Sequence, residues 1–133
     1  MTKSKEPTRR HVASGSEWEN KFGYSRAVAQ GDFCFVSGTT GTNYETGEMP
    51  ERAAQQARNA ITTIDGALRA CGFEMGHVVR VQYTVASRDV IKDIQPELQR
   101  AFGAIKPAAT MVIAELIEEG MLVEIEVTAY KGK

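Results

Sequence analysis

The chain has 133 residues, which at about 150 residues per domain allows one core and leaves no room for a second. A composition of 42% hydrophobic and 25% charged residues is that of an ordinary globular protein and excludes the disordered, collagenous and disulfide-scaffold classes. Lys and Arg number 16 against 17 Asp and Glu, so no general attraction to phosphate backbones exists and nucleic acid is disfavoured as a partner.

Lys3, Lys5, Arg9 and Arg10 against Glu6 make the first ten residues basic, leaving 12 basic and 16 acidic side chains for the body. This tip reads as a solvated tail. Residues 1–20 are expected to form an extended lead-in, pinned to the core by Trp18, ahead of a single domain over 21–133. No apolar run approaches the roughly 18 residues that span a bilayer, and Met1 to Gln30 lacks a signal-peptide core. The expected compartment is therefore the cytoplasm, with no membrane partner. Cys34 and Cys71 are the only cysteines and read as two buried thiols, since no second pair completes a thiolate metal site.

Tyr24 to Ala29 reads as a strand, Gly31-Asp32 as a tight turn and Phe33 to Ser37 as the returning strand of a hairpin. Gly38 to Pro50 is a long polar loop, the first place to look for a site. Ala54, Ala57, Ile61, Ile64, Leu68 and Cys71 recur at helical spacing from Glu51 onward, and Gly72 supplies the left-handed stop. Val79, Val81, Tyr83 and Val85 alternate with polar residues as a strand with one wet or interfacial face. Ile91, Ile94, Leu98 and Phe102 mark a second helix that Pro96 should kink or shorten. Ala109 to Glu115 and Met121 to Tyr130 complete a ββαβαββ order, an α+β plan with helices on one sheet face. The other face keeps apolar and charged groups, which predicts a homo-oligomer.

Alternation along Val123-Glu124-Ile125-Glu126-Val127 places both glutamates on the face opposite the valines, about 7 Å apart. They either face one pocket or are solvated or paired across an interface. Tyr24 and Arg26, on one face of the first strand, and the free N–H groups of Ser37-Gly38-Thr39 could help bind a small polar or anionic ligand. Gly38-Thr39-Thr40-Gly41 lacks the ending of a phosphate loop, and His11 and His77 show no metal-ligand spacing. No metal, nucleotide or covalent nucleophile is expected.

Tyr24-Ser25-Arg26-Ala27-Val28, Phe35-Val36-Ser37-Gly38, Ala54-Gln55-Gln56-Ala57-Arg58-Asn59, Lys106-Pro107-Ala108-Ala109-Thr110 and Val123-Glu124-Ile125-Glu126 occur in one order and spacing. Over residues 20–130 the chain resembles the RidA family, also called YjgF or L-PSP. The resemblance implies a chorismate-mutase-like fold of the bacillus type, a homotrimer with ligand sites in clefts between subunits, and hydrolysis of reactive imines and enamines without metal or cofactor. It further implies that Glu124 activates water, that Tyr24 lines the pocket, and that Ser37, Gly38, Ala109 and Thr110 border the substrate. Glu126 carries no implied catalytic role. The pattern departs at Ala109, where such deaminases carry an arginine that grips the substrate carboxylate. Arg26 is a candidate substitute for that clamp. The alternative is a small-molecule-binding or regulatory trimer without turnover; RNA cleavage, an older association of the family, is disfavoured by the acidic body.

Overall fold

The structure is a computed structural model and describes residues 8–132. Its elements in chain order are β1 (Arg9–Val12), α1 (Glu17–Phe22), β2 (Ala27–Gln30), β3 (Phe33–Thr40), α2 (Ala53–Ala70), β4 (Val78–Val85), α3 (Arg88–Phe102), β5 (Ala108–Ile113) and β6 (Val123–Tyr130). They build one six-stranded sheet in the order β1-β2-β3-β6-β4-β5. Neighbours are antiparallel except β4 and β5, which run parallel.

The valine side of β6 is fully covered, with Val123, Ile125, Val127 and Ala129 all buried. Helix α2 packs there, across β3 and β6, with α3 beside it over β4. The protein is thus α+β, with one sheet and its two long helices on a single face. Cys34 and Cys71 are free and buried in this core. Burial, helped by the adjacent Cys71 thiol, pushes the Cys34 thiol up to about 12, so it is inert as a nucleophile at neutral pH.

Three expectations are corrected. Residues 1–20 are not simply an extended lead-in: Arg9–Val12 adds β1 to the sheet beside β2, and α1 begins at Glu17, capped by the Ser16 hydroxyl, which accepts from the Trp18 N–H at 3.2 Å. Gly23, at φ 76°, ends that turn of helix in the left-handed conformation. Arg9 and Arg10 are exposed, in keeping with a solvated tip, but they belong to β1, where Arg9 donates to Gln30 and Arg10 to the Cys71 carbonyl; the remainder of the basic tip, residues 1–7, lies outside the described residues. Helix α3 runs through Pro96 without a break. Pro96 and Lys92 both lie on the exposed side, where water can satisfy the Lys92 carbonyl that the missing N–H leaves free. Finally, Val79 is exposed although it alternates with Val81 in sequence: the ladder to β6 slips by one residue between Val78 and Arg80, and the bulge turns Val79 outward.

The buried stripe of α2 is also rotated from the apolar one. Gln56 is fully buried, together with Ala53, Ala57, Ala60, Ile64, Ala67 and Leu68. Its amide nitrogen donates to the carbonyls of Pro50 and Gly120 at 2.7 and 2.8 Å, and its oxygen accepts from the Leu122 N–H at 2.8 Å. One side chain therefore ties the loop after β3 to the loop before β6, the two loops that border the site.

Candidate functional site

Glu124 lies in the middle of the sheet, on the face away from the long helices. Its cross-strand neighbours are Thr40 on β3 and Thr84 on β4, whereas Glu126 sits opposite Gln82 and is exposed. Along β3 the register with β6 slips between Val36 and Thr39, so Ser37-Gly38 forms a bulge, the irregularity that commonly re-aims groups beside a site. The missing side chain at Gly38 makes the room: a Cβ there would stand 2.7 Å from the Glu124 carboxyl carbon. The strand thus brings its backbone against the carboxylate, and only glycine permits the approach.

Glu124 is half-buried. Burial holds its carboxyl above the ordinary carboxylate value, the nearby Glu126 charge adds to the rise, and Arg26 opposes it. No hydrogen bond from the described residues enters that balance. A half-desolvated carboxyl without a partner is a group poised to accept or give a proton.

Arg26 precedes β2 and is 2% exposed. Its guanidinium donates to the Gly38 carbonyl at 2.7 Å and the Thr39 hydroxyl at 3.0 Å, and pairs with Glu19 of α1 at 3.4 Å. Glu19, itself buried, also accepts from the hydroxyl and backbone N–H of Ser14. The Tyr44 ring covers the Arg26 guanidinium at 4.7 Å, with Tyr24 at 5.7 Å. The geometry therefore argues against Arg26 as a free clamp for a carboxylate: its donors hold the bulge and the short helix, and it acts on Glu124 only through space.

A cavity of about 980 Å³ opens over Glu124. Tyr24, Arg26, Gly38 and Thr40 form its floor with Glu124, while Trp18, Tyr44 and the segment from Glu115 to Glu119 stand around it. A smaller recess of about 510 Å³ continues past Gly38 to Ser37, Phe35 and Glu126. Tyr24, Arg26, Ser37, Gly38 and Glu124, all singled out in the sequence, are thus drawn together. Ala109 and Thr110 are not. They lie on the edge strand β5, exposed, opposite Val81 and Gln82, with β4 between them and β6; Thr110 meets the Arg80 guanidinium at 3.2 Å.

The sequence reading missed Thr40, Thr84, Tyr44, Glu19 and Gln56. Thr84 could have been found by the period of two in its strand, which sets it on the wet face, but the pairing that places it beside Glu124 is non-local. Trp18, expected to anchor the lead-in, stacks on Phe22 at 5.2 Å and lines the cavity as well. Among the described residues no three His, Cys, Asp or Glu side chains converge as metal ligands.

The family described as endoribonuclease L-PSP matches residues 16–131. The chain belongs to this family, the RidA or YjgF family. An uncharacterized protein of Streptomyces coelicolor is 31% identical to this L-PSP chain, covering 92% of each. The 2-iminobutanoate/2-iminopropanoate deaminase of Escherichia coli is 25% identical, covering 81% of this chain and 87% of its own. Among solved structures, a Mycobacterium tuberculosis member of the YjgF family superposes with a TM-score of 0.84 at 38% identity, covering 93% of this chain and 100% of its own.

Proposed function

We propose that this L-PSP protein hydrolyses a small reactive imine or enamine without a metal or cofactor, at clefts completed by a homotrimer. The observation that carries the reading is the half-buried, unpartnered Glu124 carboxyl, held above its ordinary value, on the floor of an open cavity. As carboxylate it takes a proton from water while the oxygen adds to the imine carbon; as acid it returns that proton to the nitrogen, so that ammonia leaves and a carbonyl remains. Thr40 and Thr84, flanking Glu124 in the ladder, offer hydroxyls for the incoming water. Relatives named as imine deaminases support the reaction class.

Association supports the reading too. On the uncovered sheet face Phe33 and Phe35 stack at 5.8 Å, and Phe33 meets Tyr130 at 4.8 Å, with each ring at least two-fifths exposed. Exposed aromatic clusters of this kind are typically covered by a partner. A symmetric assembly would also offer the β5 edge of one copy, with Ala109 and Thr110, to the cavity of the next.

The test is ammonia release from freshly generated imines above the spontaneous rate. The parent is expected to accelerate it and Glu124→Gln to abolish the acceleration; acceleration that survives the substitution would remove Glu124 from the mechanism. Tight retention of a small molecule with no ammonia formed would instead favour a binding or regulatory trimer.

A further inference from the structure

The cavity over Glu124 is built for positive charge. Besides Glu124, and Glu17, which pairs with Lys21 at 3.3 Å, its wall carries Glu45, Glu115, Glu118 and Glu119, all exposed and in no ion pair among the described residues. Its single lining cation among those residues is Arg26, whose guanidinium is buried and already bonded to Glu19, Gly38 and Thr39. Carboxylates on a concave low-dielectric wall focus a negative potential that concentrates cations and repels anions. Trp18, Phe22, Tyr24 and Tyr44 line the same space, and aromatic faces attract ammonium and iminium groups.

We propose that this cavity takes a positively charged imine, or its parent amine, that bears an aromatic or alkyl group and no carboxylate. The inference rests on the hydrolase reading for its chemistry and on the wall for its selectivity. The reaction is R–CH=NH2⁺ plus water giving R–CHO plus NH4⁺. The water oxygen bonds to the imine carbon, the carbon–nitrogen bond breaks, and ammonia leaves with the positive charge; nothing is oxidised or reduced. The class of reaction that supplies such a substrate is oxidation of a primary amine, in contrast to the amino-acid chemistry that supplies 2-imino acids.

The test separates selectivity from turnover. Binding of benzylammonium and of benzoate, which share a ring and differ in charge, is measured by calorimetric titration of the full chain. Benzylammonium is expected to bind at least about tenfold more tightly, with the preference shrinking as salt is added and after combined Glu115→Gln, Glu118→Gln and Glu119→Gln substitution. Equal or tighter binding of benzoate, or no binding of either, overturns the proposal and would place a cation of a second copy in the cleft or the ligand elsewhere. In parallel, ammonia release is followed from the imine that a flavin amine oxidase forms from benzylamine and from 2-iminopropanoate formed by an amino-acid oxidase. Glu124-dependent preference for 2-iminopropanoate keeps the hydrolase and discards this selectivity. Benzylammonium selectivity with no acceleration of either imine keeps the selectivity and discards the hydrolase.

Discussion

Glu124 and Gly38 form a pair in which each constrains the other. The carboxyl is held above its ordinary value of 4.5, so the folded chain binds that proton more tightly than the unfolded chain does. Stability is therefore greatest while the proton is on and falls as pH rises from the ordinary carboxylate range through the raised folded value. Glu124→Gln, which cannot ionise, should melt above the parent at pH 7, with the gap closing as pH falls below the ordinary carboxylate value; melting curves across pH check the sign. Gly38→Ala tests the other partner. The φ of Gly38 lies outside the left-handed region, so the backbone tolerates alanine, but the new methyl group collides with the carboxyl carbon at 2.7 Å. Displacing a reacting group by about 1 Å can cost roughly a hundredfold in rate, so kcat for imine hydrolysis should fall by about that factor while the melting temperature changes little. The alternation of β6 made the orientation of Glu124 legible from sequence. Its neighbours were not, because Thr40 and Thr84 reach it through pairings more than thirty residues away.

At the scale of elements, Gln56 and the short helix α1 do what the apolar pattern could not announce. The stripe read from Ala57, Ile64 and Leu68 located α2 to within two residues at each end, yet a glutamine one position from that stripe is among the most buried side chains. A buried amide is tolerated only when its hydrogen bonds are met, and here the partners are loop carbonyls that no periodicity reveals. Gln56→Ala leaves those carbonyls and the Leu122 N–H without a partner and should cost about 2–3 kcal/mol. Hydrogen exchange should accelerate in residues 41–50 and 114–122 before the rest of the sheet. Between α2 and α3, Glu97 works in the opposite direction to Glu124: hydrogen bonds from Arg58, with Arg100 beside it, hold its carboxyl below the ordinary range. Its stabilising effect is present at neutral pH and disappears as pH falls below that range. Pro96 misled in the reverse sense, since a residue that stops a buried helix is harmless on a face open to water.

For the molecule as a whole, the order of the seven elements from residue 24 onward, ββαβαββ, was readable because each carries its own period. The sheet order was not, since β6 inserts between β3 and β4 and local signals do not encode such a crossing. Ala109 and Thr110 lie apart from Glu124 within one chain, which is the arrangement expected if the cleft is shared by copies. Sedimentation of the purified chain should give a mass of three 14.6 kDa protomers. Phe35→Asp, placing a charge on the exposed aromatic cluster, should shift it to monomer and remove imine hydrolysis with it. A monomeric parent that is fully active would rule out the shared cleft.

The Arg26–Glu19 pair makes the first described residues indispensable in a way their polar composition conceals. A chain trimmed to begin at residue 21 would lose Glu19 with most of α1, together with β1, and leave the Arg26 guanidinium without its ion-pair partner, an outcome worth about 3 kcal/mol or more. The same cut would uncover the β2 edge for unwanted strand addition. Shortened versions made to aid crystallisation or expression should therefore aggregate, whereas a polar extension placed ahead of residue 8 leaves the pair untouched.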